Sequence, residues 1–275
     1  MFGWLVKGGS IVPDHPFIFT FAKKYRYMKS LSEKDLTIQM PITITSADTD
    51  MYMRLRLGGV VNLLIQAAIE SAESLGFGFK NLKNQKLYWV LSRLTVEIYK
   101  PLTWNQKVVV ETWPKNLEGL LYLRDFIIRD EQQNIVCRAT SGWLAIDLLA
   151  KKPKIIDGIH AGMFVELKDK HGLTELPEKL PGIADGEEFE INTGFFDFDL
   201  NRHVTSTRYI DWMMDTFTVD FHKAFYPKKL SVNFMKETLP GDAISLKRES
   251  RDTLYGFEGT NLLHKTTAFR GKIEF

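Results

Sequence analysis

The segment Asp199-Leu200-Asn201-Arg202-His203 sets a carboxylate, an amide and an imidazole at alternate positions, and Glu237 adds a second carboxylate on a later strand-like run. A carboxylate can attack a carbonyl or draw a proton from water. An amide can hold either partner, and an imidazole titrates near neutrality and so passes protons in both directions. Read as an extended segment, side chains two apart share a face, so Asp199, Asn201 and His203 point the same way. The bland alternative is a polar strand end before a helix, with Asp and Asn as turn or capping groups. Spacing alone does not separate the two.

The elements that must position these residues occur twice. In the first copy, Thr37 to Ser46 alternates like a strand, and Leu57 to Leu75 has the apolar spacing of a helix ending at Gly76 and Gly78. Four strand-like runs follow: Leu87 to Tyr99, Lys107 to Trp113, Leu120 to Arg129 and Ile135 to Ile146. In the second copy, Glu188 to Phe196 is strand-like. Ser206 or Thr207 then caps a helix with Tyr209, Ile210, Met213, Phe217 and Phe221 on its apolar side. Strands return at Leu230 to Thr238, Ala243 to Glu249, Leu254 to Gly259 and Thr266 to Phe275. The expected class is α+β, each copy an antiparallel sheet wrapped around a long helix. The expected division is an N-terminal extension over 1–33, a first domain over 34–149, a linker over 150–187 and a second domain over 188–275. Residues 1–27 read as a loosely attached stretch.

The repeat has a register. Leu94-Thr95-Val96-Glu97-Ile98 mirrors Leu230-Ser231-Val232-Asn233-Phe234, and Asp48-Thr49-Asp50 mirrors Asp197-Phe198-Asp199. Tyr52 then stands for Asn201, Arg54 for His203 and Pro101 for Glu237. The first copy keeps the scaffold without the chemical set, which points to the second as the reactive one.

Composition narrows the class. The 275 residues are 44% hydrophobic, enough for a substantial core, and a net charge of +2 is no signature of nucleic-acid binding. No apolar run approaches the ~20 residues of a membrane span, and no signal peptide is read at the N-terminus. Cys137 is the single cysteine; it excludes an intrachain disulfide, suits a cytoplasmic setting and reads as a buried structural thiol. The five other histidines have no ligand spacing, so neither a metal nor a cofactor is expected.

The run Asp199-Leu200-Asn201-Arg202-His203-Val204, followed by Arg208-Tyr209-Ile210-Asp211-Trp212, resembles the catalytic segment of acyl-ACP thioesterases. Glu237 in Phe234-Met235-Lys236-Glu237-Thr238 matches that family's distal glutamate, and Trp89-Val90-Leu91-Ser92-Arg93-Leu94 is similar to its N-terminal half. The resemblance runs from about Lys34 to Phe275. It implies tandem (double) hot-dog domains, the acyl chain housed in the first and chemistry in the second. It also implies hydrolysis of acyl-[acyl-carrier protein] to free fatty acid, ending fatty acid synthesis, with acyl carrier protein (ACP) as partner. Asp199, Asn201, His203 and Glu237 become the catalytic set, Asp199 attacking directly or activating water. Arg202 departs from the family's usual Gly, Thr205 from its Asn, and Thr238 replaces the cysteine of plant members. Rival readings are an acyl-CoA thioesterase and a non-catalytic acyl-ACP-binding protein. Trp89, Phe77, Phe79, Met51, Met53 and Leu64 are candidates for an acyl tunnel, and exposed sheet edges suit a homodimer.

Overall fold

A computed structural model describes residues 32–156 and 162–275; the reading of residues 1–27 lies outside them. In the first copy, a capped turn of helix, α1 (Glu33–Leu36), precedes β1 (Ile38–Thr43), the long α2 (Leu57–Ser74) and the short α3 (Phe79–Asn84). Strands β2 (Leu87–Ile98), β3 (Lys107–Glu118), β4 (Leu121–Asp130) and β5 (Ile135–Asp147) complete it. The second copy holds β6 (Glu187–Asn192), α4 (Ser206–Asp215), α5 (Val219–Ala224), β7 (Lys229–Phe234), β8 (Ala243–Arg251), β9 (Leu254–Asn261) and β10 (Thr266–Glu274). Among the described residues no helix is long and apolar enough to cross a membrane.

All ten strands join one antiparallel sheet in the order β1-β3-β4-β5-β2-β7-β10-β9-β8-β6. The order is a palindrome under the repeat: β2 stands for β7, β5 for β10, β4 for β9, β3 for β8 and β1 for β6. The two copies meet at the centre, where β2 and β7 pair and Thr95 lies opposite Ser231, its own counterpart. A pseudo-twofold axis passes there, with the two hydroxyls 3.5 Å apart. Beside it, Glu97 and Lys229 form an ion pair of 2.8 Å between the copies. Helix α2 turns Val60, Val61, Leu64, Ala67 and Ala68 to the sheet, into one core cluster that extends across both copies. The fold is therefore the α+β double hot-dog that the repeat and the resemblance imply.

Three elements depart from expectation. The second long helix is broken: α4 stops at Asp215, and Thr218 starts α5 by accepting the Phe221 N–H on its hydroxyl. Cap-forming, β-branched threonines at 216 and 218 interrupt the apolar period that runs on through Phe217 and Phe221. Strand β7 ends at Phe234, so Glu237 sits in the following loop rather than on a strand. The segment joining the copies is a packed strap. Its Gly172 N–H donates to Asp125 (2.6 Å), its Leu173 carbonyl accepts from Lys115 (2.6 Å), and its Leu180 N–H reaches Asn233 on β7 (2.8 Å). At Gly172 a Cβ would lie 2.8 Å from the carbonyls of Phe126 and Ala139, so only glycine lets the strap lie this close. In the first copy the outer face of the sheet carries Trp113 and Ile127, which need this cover.

Candidate active site

Asp199 to His203 forms a tight turn, not an extended strand. The Asp199 N–H donates to the His203 carbonyl (2.9 Å), the Arg202 N–H donates to the Asp199 carbonyl (3.0 Å), and Phe198 bridges Val204 at the base. Asp199 Oδ1 accepts from the backbone N–H groups of Asn201 (2.8 Å) and His203 (3.2 Å). This Asx geometry is a local use of the carboxylate that competes with strand pairing. Arg202 takes φ +64°, where the family's usual Gly is free of strain. The capping and turn role of Asp199 is thus real, and it coexists with exposure: among the described residues no donor reaches Oδ2.

The turn carries His203 to the loop after β7. His203 Nε2 lies 3.3 Å from Glu237 Oε2, both groups part-exposed. The link is made by backbone, since the Val204 N–H donates to the Thr238 carbonyl (3.0 Å). Asn201 is exposed, and its side chain has no hydrogen bond among the described residues. The structure thus joins His203 with Glu237 by side chains, and Asp199 with Asn201 and His203 through backbone donors.

Tyr88, at the start of β2, was not found by sequence reasoning. Burial, and then the charge and hydrogen bonding of Glu237, raise its pKa above the ordinary phenol value. The first copy therefore contributes a residue to the site in the second. The signal was latent in the register: with Glu97 opposite Lys229 and Arg93 opposite Asn233, continuation of the pairing brings residue 237 to the start of β2.

Beneath the turn, Asp197 is buried and accepts from Arg208 Nε (2.6 Å) and the Gly194 N–H (2.7 Å). Its carbonyl accepts the Thr205 N–H (2.8 Å). Thr205, rather than Ser206 or Thr207, is the N-cap of α4, and no side chain caps the helix. The N–H groups of Ser206 and Thr207 are left open at the positive end of the helix. Cys137 lies in β5 of the first copy; burial pushes its thiol pKa up, the opposite of an activated nucleophile. Met51 and Met53 are mostly exposed and Phe79 is more than half exposed, so they do not line an interior tunnel, whereas Phe77 and Leu64 are buried.

The first copy repeats the turn without the chemistry. Asp50 Oδ1 accepts from the N–H groups of Tyr52 (2.8 Å) and Arg54 (2.9 Å), and Met53 takes φ +62°. Here Oδ2 is engaged by Arg54 Nε (2.9 Å). The same guanidinium donates to the carbonyls of His222 (2.6 Å) and Phe225 (3.4 Å) and lies over the Tyr52 and Tyr226 rings. Arg54 therefore occupies the place that His203 and Glu237 share in the second copy. A cavity of about 250 Å³ beside it is lined by Arg54, Arg208, Asp211 and His222, without an imidazole–carboxylate pair.

Comparison with known proteins decides the family. The family model of the acyl-ACP thioesterase N-terminal domain matches residues 35–162, and that of the C-terminal domain matches residues 182–274. The chain belongs to the acyl-ACP thioesterase family. Its two matched segments contain Tyr88 and the His203–Glu237 pair respectively. The oleoyl-acyl carrier protein thioesterase 1 of Arabidopsis thaliana is 24% identical to this thioesterase over 92% of the chain and 73% of the plant protein. For two further oleoyl-ACP thioesterases, from Coriandrum sativum and Arabidopsis thaliana, the matched part is 65% and 63% of their length. Among solved structures, an acyl-ACP thioesterase from Bacteroides thetaiotaomicron superposes with TM-score 0.78 at 24% identity, over 89% of this chain and 99% of that one. The 12:0-ACP thioesterase of Umbellularia californica gives 0.77 at 19%, over 86% and 96%.

Proposed function

We propose that this thioesterase hydrolyses the thioester of acyl-ACP in the second copy, with His203 and Glu237 moving the proton and Asp199 and Asn201 holding the reactants. The observation that carries this reading is the 3.3 Å His203–Glu237 contact beside an Asp199 whose Oδ2 is unengaged. With Nε2 facing Glu237, Nδ1 of His203 is left to take a proton from water. Asp199 Oδ2 orients that water. Its oxygen bonds to the acyl carbon, the carbon–sulfur bond breaks, and His203 returns the proton to the thiolate, giving fatty acid and carrier thiol. The open N–H groups of Ser206 and Thr207, with the Asn201 amide, stabilise the oxyanion; one such donor is worth about 10²–10³ in rate. Direct attack by Asp199 is the second route; Asp199→Asn tests whether the carboxylate is needed at all, and ¹⁸O labelling of Asp199 separates the two routes. That variant keeps an Oδ1 acceptor for the turn and removes the charge. Under the proposed route it lowers kcat by roughly 10²-fold or more with the circular dichroism unchanged, and incubation in ¹⁸O-water leaves wild-type Asp199 unlabelled. Wild-type turnover by Asp199→Asn would leave Asp199 a turn residue only.

The first copy is the better acyl compartment. The second copy packs rings against one another: the Phe217 centroid lies 4.5 Å from that of Phe221, stacked, and 4.8 Å from that of Tyr255, edge-on, and Phe221 meets Phe275 edge-on at 4.8 Å. The first presents Ala67, Ala68, Ser71 and Ala72 along α2, its own rings, Phe77, Trp89, Tyr122 and Phe164, being gathered at the Ala72 end. Arg202 and Lys236 flank the mouth and suit an acidic carrier protein, and Phe195, Phe196 and Leu200 are all more than 85% exposed around it. Matched assays on acyl-ACP and acyl-CoA test the carrier. A cytosolic setting fits one buried thiol, and β1 and β6 are the edges through which a homodimer would form.

A further inference from the structure

Tyr88 lies at the start of β2 in the first copy, and its phenol O–H donates to the carboxylate of Glu237 in the second. The strand fixes which way it points. Its neighbour Trp89 turns inward: the indole packs on Tyr122, and its Nε1 donates to the Phe77 carbonyl (2.9 Å). Alternation sends Tyr88 to the opposite face. There the Lys151 ammonium, from the turn after β5, lies 5.5 Å from its ring centroid. The ring is thus flanked by its own copy while the hydroxyl reaches across to the loop after β7.

Glu237 needs such a partner. Its backbone is fixed: the N–H groups of Met235 and Lys236 donate to the Ala268 carbonyl (2.8 and 3.1 Å), and the Thr238 carbonyl accepts from Val204 (3.0 Å). Its side chain is not, being 47% exposed and beyond the end of β7. A glutamate in that setting samples many rotamers, so one contact with His203 leaves the carboxylate poorly oriented. Tyr209 on α4 senses the Glu237 charge only weakly, behind burial. His203 and Tyr88 therefore grip the carboxylate from the two copies. The repeat supplies a control. On the strand register Pro101 stands for Glu237 and Ala224 for Tyr88. The plugged turn lacks the carboxylate and its phenol together, and a ring that served only strand packing would have no reason to track the carboxylate.

We propose that Tyr88 is a positioning residue: its phenol holds the Glu237 carboxylate on His203, so that the first copy takes part in the chemistry of the second. This rests on His203 and Glu237 being the reactive pair of a hydrolase. The test compares Tyr88→Phe, which keeps the ring, with Glu237→Gln and with the double variant, each assayed for thiol release from dodecanoyl-ACP. Tyr88→Phe should lower kcat roughly three- to tenfold with KM within about twofold of wild type. In the Glu237→Gln background the same change should have no further effect. A Tyr88→Phe with wild-type kcat, or one that loses equally in both backgrounds, overturns the proposal. A second readout needs no catalysis. The Tyr88 phenol, followed by ¹³Cζ-tyrosine NMR and assigned with Tyr88→Phe, should titrate at lower pH in Glu237→Gln than in wild type. Burial, the larger cause of its raised pKa, is the same in both proteins, whereas the charge of Glu237 is gone from the variant. An unmoved titration overturns the proposal. Absence of thiol release from wild type would refute the hydrolase reading and leave this titration to decide whether Tyr88 holds Glu237.

Discussion

Arg202 holds a left-handed backbone inside the Asp199–His203 turn, and its counterpart Met53 does the same. A non-glycine residue there costs about 1–2 kcal/mol, partly offset by the extra unfolded-state freedom that glycine brings. Arg202→Gly should therefore raise Tm by a few degrees, measured by calorimetry, whereas Leu200→Gly, outside the left-handed region, should lower it or leave it unchanged. Glu237→Gln should lower kcat by about 10²–10⁴ if the glutamate acts with His203, and the double variant with His203→Ala should lose little more than His203→Ala alone. Additive losses in the double variant would show that the two act separately. The motif made Asp199, Asn201, His203 and Glu237 visible in the sequence. Its spacing was misread as extended, because an Asx turn uses the same alternation of polar residues as a strand end. Tyr88 was hidden because it belongs to the other copy, and only the pairing of β2 with β7 brings it near.

At the scale of elements, the two copies are tied by Glu97 and Lys229 across β2 and β7. The Lys229 hydrogen bond is the largest cause that holds the Glu97 carboxyl below its usual value of 4.5. A depressed carboxyl contributes stability that is present above its unfolded pKa and lost as pH falls through the folded one. The Tm deficit of Glu97→Gln should thus be seen at neutral pH and close as pH drops below 4.5. The pair is part-exposed, so the deficit should correspond to about 1 kcal/mol or less. A deficit that grows in acid would contradict the assignment. The succession of strands along the chain and the two long helical segments were legible from period and repeat; their order in the sheet was not. The break before α5 was not, since Phe217 and Phe221 continue the apolar period while Thr218 restarts the helix.

Over the whole molecule, one duplicated scaffold has been divided: rings packed about Phe217 and an open turn in the second copy, a helix lined by small residues and an arginine-plugged turn in the first. Ala72→Phe should cut kcat/KM for long acyl chains by roughly tenfold or more while short chains change less, read from a panel of acyl-ACPs. Uniform loss across lengths would place the chain elsewhere. The division was foreshadowed by Arg54 standing where His203 stands, but the interior contrast needed the packing.

The central claim is that the second copy's imidazole–carboxylate pair drives thioester hydrolysis. Thiol release from dodecanoyl-ACP by wild type and by His203→Ala, under single-turnover conditions with folding checked, tests it most directly. The account predicts release by wild type and a loss of about 10² or more in His203→Ala. Equal release by the two proteins would contradict it.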